Sequence, residues 1–255
     1  MPAGKKDAAL VTGAGKRIGR ALALSLCDAG HDVVVHYNTS KAEADEVVSM
    51  IVAKGCKAVA LQADLSHEKE TAALIGNAAK ALGPLSLLVN SASVFEHDDI
   101  TSLTRESWDR HIETNLRAPL KLSQDFAAQV QPDTDSLIVN IIDQRVLKLT
   151  PQFLSYTVSK AALFTLTKTL AQALGPKGVR VNAIGPGPTL KNPRQSDDDW
   201  ARQNKATILG YGADLEDICG ALMFLTTARA VTGQMIVVDG GQHLAWQTPD
   251  VLGRE

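Results

Sequence analysis

Tyr156 and Lys160 are the residues of this 255-residue chain whose types and spacing most directly suggest chemistry. They lie four positions apart in residues 153–174, a stretch with helical spacing, so their side chains share one face of a helix. The ordinary pKa of a tyrosine is about 10, and a neighbouring ammonium lowers that pKa by stabilising the phenolate. We therefore predict that Tyr156 donates a proton near neutral pH. The same pair also occurs on many helix surfaces, so the prediction depends on the surrounding elements.

A glycine-rich turn follows the first apolar run of the chain. Gly13, Gly15 and Gly19 separate a predicted strand from a predicted helix. Glycines let the backbone turn tightly and approach a pyrophosphate, and the N–H groups at a helix N-terminus bind phosphate oxygens. We therefore predict a dinucleotide-binding turn formed by these glycines and Ile18. The spacing G-x-G-x-x-x-G differs from the usual fingerprint, and a plain strand-to-helix turn is the alternative.

The end of the second predicted strand indicates which nicotinamide cofactor fits. An NAD-binding site usually has an Asp or Glu there to hold the ribose 2′-hydroxyl. This strand ends without an acid, and its hydroxyl, amide and cationic neighbours accept a 2′-phosphate that a carboxylate would repel. Arg17 in the glycine turn adds a guanidinium. We therefore predict NADPH rather than NADH, bound in part by His36, Tyr37, Asn38, Thr39 and Ser40. Lys41 is equally consistent with a solvated helix residue.

Strand-like and helix-like segments alternate along the whole chain. The predicted strands are residues 8–11, 32–36, 57–61, 86–89, 136–142, 179–184 and 235–238. The predicted helices are residues 18–28, 40–54, 67–82, 104–129, 153–174 and 215–226. This alternation predicts an α/β fold with a parallel sheet covered by helices on both faces. We expect one doubly wound Rossmann domain, residues 1–255, with a seven-stranded sheet and its ligand beyond the carboxyl ends of the strands.

Charge, hydropathy and cysteine usage narrow the class of protein. The net charge of −2 is dispersed, which does not favour nucleic-acid binding. No apolar stretch approaches the roughly 20 residues that span a bilayer, and the N-terminal run is too short for a signal peptide, so we expect a cytoplasmic protein. Cys27, Cys56 and Cys219 are far apart in the sequence. We interpret them as packing residues rather than a redox pair or a metal site.

An ordered set of motifs resembles the short-chain dehydrogenase/reductase family over nearly the whole chain. The matching pieces are residues 12–19, Asp64-Leu65, residues 90–93, Asn115, Tyr156 with Lys160, Pro186-Gly187 and residues 239–241. The resemblance implies that Asp64 and Leu65 contact the adenine of the cofactor. It implies that Asn90, Ser91, Ala92, Pro186 and Gly187 line the rest of the cofactor path.

The same resemblance implies roles around the catalytic pair. Lys160 would hold the nicotinamide ribose, and Asn115 would organise a water that relays protons through Lys160. As alternatives, Asn90 caps a strand end and Asn115 is a buried helix residue. Family members also suggest a homotetramer whose interface includes the helices at residues 104–129 and 153–174.

Two positions depart from the usual family pattern. Asp143 stands about 13 residues before the Tyr, where most members have Ser, and Arg17 stands where most have Gly. Both departures resemble the pteridine reductase-like branch, which includes dihydropteridine-type reductases. In that branch, a Phe at the position of Phe95 stacks on the pterin, and the position of Ser93 contacts pterin and cofactor.

Reduction of a pterin ring fits this set of side chains. A stacking Phe95 and the nicotinamide could sandwich a flat heteroaromatic ring. Reduction of a ring C=N requires a hydride on carbon and a proton on nitrogen, and a carboxyl group with a raised pKa can supply that proton. Asp143 follows an apolar strand, so desolvation should raise its pKa, while Lys160 acts in the opposite direction. The alternatives are that Asp143 is a passive acceptor or pairs with Arg145, and that Phe95 only packs under a loop.

Two further functions are consistent with the sequence. A carbonyl reductase acting on 3-oxoacyl or keto compounds would use the same Tyr156, Lys160 and Asn115. A cofactor-binding sensor without turnover would need none of them. In either case residues 186–212 should form a mobile lid, in which Thr189 reaches the cofactor and Trp200 closes the pocket or packs the lid.

Overall fold

The computed structural model describes residues 6–131 and 134–246, and its sheet has the predicted architecture. Seven parallel strands are arranged in the order β3-β2-β1-β4-β5-β6-β7. Their bounds are β1 Lys6–Val11, β2 His31–Tyr37, β3 Ala58–Gln62, β4 Leu85–Asn90, β5 Ser136–Ile141, β6 Val179–Pro186 and β7 Met235–Val238. This confirms the single-domain α/β prediction, although the predicted limits at residues 1 and 255 lie outside the described residues.

Helices connect the strands and cover both faces of the sheet. They are α1 Arg17–Asp28, α2 Lys41–Ala53, α3 Glu68–Leu82, α4 Arg105–Ile112, α5 Ala118–Gln129, α6 Leu154–Leu174, α7 Asp197–Lys205 and α8 Leu215–Thr227. Within the described ranges, none of these helices is long and apolar enough to cross a membrane.

Alternate residues of each strand pack into two separate hydrophobic layers. In β1, Ala9 and Val11 pack with α1, α2 and α8, whereas Ala8 and Leu10 pack with α3, α5 and α6. Successive side chains of a strand point to opposite faces, so a strand buried on both sides must be apolar throughout. This is why the strands read as continuous apolar runs in the sequence.

The functional crevice begins where the connections after β1 and β4 leave the sheet on opposite faces. Thr12, directly after β1, ties the two connections together: its Oγ1 accepts the N–H groups of Ser91 and Ala92 at 2.9 and 3.0 Å. A reversal of strand order at this point opens a cleft beyond the carboxyl ends of a parallel sheet.

Two segments differ from the sequence prediction. The helix expected at residues 104–129 is interrupted by a π-helical turn at Glu113–Arg117. Pro119 lies at the start of α5 and has no N–H to donate to the carbonyl four residues earlier, which favours the wider turn. The predicted lid contains α7, whose N-cap Ser196 accepts the N–H of Asp199 at 3.0 Å. Because α7 is short and strongly polar, it has no apolar periodicity from which a helix could be predicted.

Candidate functional site

A cavity of about 830 Å³ lies at the carboxyl ends of the strands and contains most of the predicted site residues. The predicted residues that line it are Gly13, Arg17, Ile18, Gly19, His36, Tyr37, Asn38, Thr39, Ser40, Asp64, Leu65, Ser91, Ala92, Ser93, Phe95, Asp143, Tyr156, Lys160, Pro186, Gly187 and Thr189. Gly15, Asn90 and Asn115 lie behind this lining. One continuous space therefore joins the predicted cofactor and substrate ends.

The glycine turn forms a cradle that fits a pyrophosphate. Helix α1 begins without a side-chain cap, because its N-cap residue Lys16 makes no capping bond, so the N–H groups of the first turn remain for a ligand. Gly13 has φ of +65°, and a Cβ there would lie 2.9 Å from the Cα of Ala92. A larger residue would therefore push the turns after β1 and β4 apart.

His36 holds this turn in place from inside the protein. Its Nδ1 accepts the N–H of Gly13 at 3.0 Å, and its Nε2 lies 3.0 Å from the carbonyl oxygen of Ala63, to which it donates. Burial lowers the pKa of His36 to about 4, so the imidazole is neutral. His36 lines the cavity, as the prediction of a cofactor contact requires, and both its ring nitrogens join β2, the residue after β3 and the glycine turn.

The cations at the cofactor end are all engaged with protein groups. Arg17, with φ of +51°, donates to the carbonyl oxygens of Leu190 and Lys191 at 3.0 and 3.2 Å. Lys16 pairs with Glu43 at 2.6 Å. Arg17 therefore links the glycine turn to the segment before α7, a contact that sequence analysis did not predict.

Two predicted cofactor residues are held by local hydrogen bonds. The carboxylate of Asp64 accepts the N–H and the hydroxyl of Ser66 at 2.9 and 2.7 Å. Burial acts to raise the pKa of Asp64, but the hydrogen bonds and the charge of His67 outweigh it, so the pKa is lowered. The hydroxyl of Thr189 is near-buried and donates to the carbonyl of Gly187 at 3.2 Å.

Asp143 and Tyr156 form the centre of the catalytic end. The Tyr156 hydroxyl donates to Asp143 Oδ2 at 2.8 Å, and the N–H of Arg145 donates to Asp143 Oδ1, also at 2.8 Å. Burial raises the pKa of Asp143, against the hydrogen bonds from Arg145 and Tyr156 and the charges of Arg145 and Lys160. Asp143 is half-buried, and its pKa is shifted in the direction expected from desolvation.

The pKa of Tyr156 differs from the sequence expectation. Burial and the neighbouring Asp143 carboxylate raise it well above the ordinary tyrosine value. Lys160 does not reach the phenol: its Nζ donates to the carbonyl of Ile141 at 2.8 Å and lies 5.8 Å from the centroid of the Tyr156 ring. Burial lowers the pKa of Lys160 to about 8, while Asp143 acts to raise it. The expected lowering of the Tyr156 pKa by Lys160 was therefore wrong.

Arg145 does not turn its guanidinium toward Asp143. It donates through Nη1 to the hydroxyl of Thr150, and its Cζ lies 5.1 Å from the ring centroid of Phe153. Asp143 is instead bound by the backbone N–H of Arg145. The alternative of an ion pair between these two side chains is therefore not the arrangement found.

Asn90 and Asn115 join elements behind the cavity. The Asn115 side chain, in the π-helical turn, accepts the N–H of Val94 at 2.8 Å and donates to the carbonyl of Val94 and the hydroxyl of Ser159. Asn90 donates to Asn140 Oδ1 at 2.8 Å, while its own Oδ1 is buried without a hydrogen bond. The two amides thus fix the turn after β4 against β5 and α6.

An aromatic stack forms the substrate end of the cavity. Phe95 lies parallel to Phe153, with ring centroids 4.4 Å apart and planes inclined by 9°, and its ring meets that of Tyr156 edge-on at 4.7 Å. Arg194 donates to the carbonyl of Phe95 at 3.0 Å and lies over its ring. Ser93 is exposed and donates to the carbonyl of Val94. Phe153, Arg145 and Arg194 line the cavity but were not predicted as site residues.

A buried network of polar side chains holds the first turn of α6 in place, directly before Tyr156. Asp98 accepts the N–H of Ser155 at 3.1 Å and also the Ser155 hydroxyl. His111 Nδ1 lies 2.8 Å from the Ser155 hydroxyl, and its Nε2 accepts the N–H of Glu96. Sequence analysis missed this network because its members come from three distant segments.

Comparisons with known proteins agree with this geometry. The sequence profile described as Enoyl-(Acyl carrier protein) reductase matches residues 13–243. The chain is 32% identical over 241 residues to the 3-oxoacyl-[acyl-carrier-protein] reductase FabG of Staphylococcus aureus, covering 92% of this chain and 98% of that protein. The crystal structure of FolM alternative dihydrofolate reductase 1 from Brucella canis, complexed with NADP, has a TM-score of 0.93 and 44% identity, covering 97% and 98% of the two chains.

A further similar structure is that of the landomycin C-6 ketoreductase LanV with bound NADP and rabelomycin. It has a TM-score of 0.85 and 29% identity and covers 94% of this chain and 97% of that chain. The chain therefore belongs to the short-chain dehydrogenase/reductase family. It is an oxidoreductase whose similar structures are crystallised with NADP or NADPH.

Proposed function

We propose that this protein reduces a pterin-like ring with NADPH and that Asp143 supplies the proton, assisted by Tyr156. The observation that carries the proposal is the half-buried Asp143 carboxyl group, which accepts a hydrogen bond from the Tyr156 hydroxyl at 2.8 Å. A carboxyl group is a suitable acid for a ring nitrogen once its pKa is raised, and burial raises the pKa of Asp143.

The residues present fit NADPH. The uncapped start of α1 is suited to the pyrophosphate, and the groups between β2 and α2, from Tyr37 to Ser40, are suited to the 2′-phosphate because none of them is acidic. Lys160 is assigned to the nicotinamide ribose by the family resemblance, and its buried ammonium lines the same cavity. When bound, the cofactor supplies the hydride.

Asp143 and its neighbours can deliver one proton and stabilise the charge that remains. Protonated Asp143 donates its proton to the substrate nitrogen, and a carboxylate is left. The Tyr156 hydroxyl and the Arg145 N–H each donate to that carboxylate at 2.8 Å, and the Lys160 ammonium compensates its charge. The same three groups act to lower the pKa of Asp143, against the larger effect of burial.

The substrate end favours a flat, aromatic molecule. Phe95, Phe153 and the edge of Tyr156 form a continuous aromatic surface beside Asp143, and planar rings bind to such surfaces by stacking. FolM of Brucella canis, which has 44% identity to this chain, is named as an alternative dihydrofolate reductase. Dihydrofolate contains a pterin ring. Both points support a pterin-like substrate.

Reduction of a 3-oxoacyl or related ketone is the second candidate. Its support is the similarity to FabG and to the ketoreductase LanV. Against it, Asp143 would face the developing alkoxide with like charge unless it stayed protonated, and the Tyr156 hydroxyl is directed to Asp143 rather than into open space.

The test is NADPH oxidation by the purified protein with dihydrobiopterin, dihydrofolate, an acetoacetyl thioester and simple ketones. Turnover of a pterin substrate with a clear preference for NADPH over NADH is expected. Turnover of ketones without pterins would reject the proposal in favour of the second candidate. Turnover of neither would support a cofactor-binding sensor.

The proposal also includes a homotetramer in the cytoplasm, as the family resemblance suggests. The helices α4 to α6 are the expected interface. Sedimentation of the purified protein would show the oligomeric state, and a monomer would contradict this part of the proposal alone.

A further inference from the structure

Cys27 and Cys56 are adjacent in the folded protein, although 29 residues separate them in the sequence. Cys27 lies in the last turn of α1, and Cys56 lies between α2 and β3. Their sulfur atoms are 2.8 Å apart, and the Cys56 thiol also donates to the carbonyl of Cys27 at 3.2 Å. Both cysteines belong to the hydrophobic layer that includes α1 and α2, as the packing interpretation expected, and the fold makes them neighbours.

We propose that Cys27 and Cys56 form a redox-active dithiol that closes to an intramolecular disulfide when a small disulfide such as oxidised glutathione is available. A sulfur separation of 2.8 Å is within 1 Å of the roughly 2.05 Å of a disulfide bond. Because the two sulfurs already face each other, closure needs little movement of the backbone. The proposal does not depend on the proposed reductase function.

The two thiols differ in burial, and this difference determines which of them reacts first. Cys27 is buried, and burial together with the hydrogen bond to Cys56 raises its pKa to about 12. Cys56 is half-buried and within reach of a small molecule. Since the thiolate is the nucleophile, Cys56 reacts first and Cys27 resolves the product.

The exchange balances over two steps. Cys56 gives its proton to solvent and attacks one sulfur of oxidised glutathione, so the glutathione S–S bond breaks and one glutathione thiol is released. Cys27 then attacks the Cys56 sulfur of the mixed disulfide, loses its proton and releases the second glutathione thiol. The protein thiols lose two electrons in total, and glutathione disulfide gains them.

The disulfide would enclose β2 and α2 in a covalent ring. This ring contains Tyr37 to Ser40 at the cofactor end of the cavity. Closing a loop of this size restricts the unfolded chain, so the oxidised protein should melt about 5–10 °C higher than the reduced protein.

The test is equilibration of the full-length protein with glutathione redox buffers, followed by acid quenching, alkylation and peptide mapping by mass spectrometry. A Cys27–Cys56 disulfide with Cys219 left as a thiol is expected. Cys219→Ser is the matched control, and it should retain both the disulfide and the rise in melting temperature.

Single variants test the order of the steps. In Cys27→Ser, Cys56 should accumulate as a mixed disulfide with glutathione, because the resolving thiol is missing. In Cys56→Ser, the buried Cys27 should stay reduced. The proposal is overturned if wild-type protein keeps three thiols in excess oxidised glutathione, or if the disulfide that forms includes Cys219; mapping of wild-type protein decides this even if a variant fails to fold.

Discussion

The hydroxyl of Tyr156 is directed at the carboxyl group of Asp143, 2.8 Å away, and not at the ammonium of Lys160. A tyrosine in this arrangement stabilises an aspartate, and burial and the aspartate raise its own pKa. The Tyr156 hydroxyl is thus a hydrogen-bond donor to Asp143, and this bond acts to lower the Asp143 pKa.

Replacement of Asp143 should separate the two candidate reactions. Asp143→Asn keeps an acceptor for Tyr156 but has no proton to give, so kcat for a pterin substrate should fall about 100-fold or more. Asp143→Ser restores the residue usual in the family and should lose pterin turnover while ketone turnover rises. Steady-state assays on both substrate classes would measure this, and unchanged pterin turnover in Asp143→Asn would show that the carboxyl group is passive.

The pH dependence of kcat/KM should reflect the raised pKa of Asp143. The protonated carboxyl group is the active form, so the rate should be constant at lower pH and fall as the pH rises through that pKa. Asp143→Asn should lack this decline and keep only the loss associated with Lys160, whose pKa of about 8 in the wild type should fall further without the charge of Asp143. An identical pH profile in wild type and variant would contradict this assignment.

Phe95 should contribute to the binding of an aromatic substrate. Removing its ring in Phe95→Ala eliminates a stack with Phe153 and the surface beside Tyr156. An aromatic pair stabilises a complex by about 0.5–1.5 kcal/mol, so KM should rise roughly 2- to 12-fold. The variant also loses the packing between the rings of Phe95 and Phe153. Phe164→Ala is the control, since that ring contacts Lys168 away from the cavity; equal effects of the two variants would argue against a substrate contact.

Arg17 should hold the segment that precedes α7. Arg17→Ala removes two hydrogen bonds to the carbonyls of Leu190 and Lys191, so limited trypsin digestion at Lys191 and Arg194 should become several-fold faster. Arg20→Ala, in the same helix, breaks contacts with Glu46 and Met50 of α2 and none with the segment before α7, and serves as the control. If digestion of the two variants is equally fast, Arg17 does not restrain this segment.

Asp98 should position Tyr156 through the start of α6. Asp98→Ala removes the carboxylate that accepts the N–H and the hydroxyl of the buried Ser155, which should lower the free energy of unfolding by about 3 kcal/mol and reduce kcat more than it changes KM. Asp99→Ala is a neighbouring control, because the Asp99 carboxylate bonds only to Thr101 and Ser102 in an exposed turn. Urea unfolding and steady-state kinetics would check both effects.

The parallel seven-stranded sheet and most residues of the cavity lining could be predicted because they depend on local patterns. Continuous apolar runs located the strands, and the glycines, Tyr156 and Lys160 stood at spacings that a single turn or helix explains. The contact between Asp143 and Tyr156 was expected from the family resemblance, which places a polar residue at position 143 beside the tyrosine.

Contacts between segments that are distant in the sequence could not be predicted from local patterns. Arg17 and Lys191 are 174 residues apart, and Cys27 and Cys56 are 29 apart. Which side chains meet across such separations depends on how α1, α2 and the segment before α7 pack, and no period in the sequence carries that information. The direction of the Tyr156 pKa was missed for the same reason: it follows from burial and the orientation of one hydrogen bond.

The neutral imidazole of His36 restricts how cofactor preference can evolve or be engineered in this protein. Because one ring nitrogen accepts from Gly13 and the other donates to Ala63, neither an acid nor an amide of different shape can replace His36 without loosening the pyrophosphate turn. A carboxylate that recruits NADH must therefore enter further along, between Tyr37 and Ser40. His36 must be kept to hold the glycine turn, whereas the more accessible residues from Tyr37 to Ser40 can be substituted.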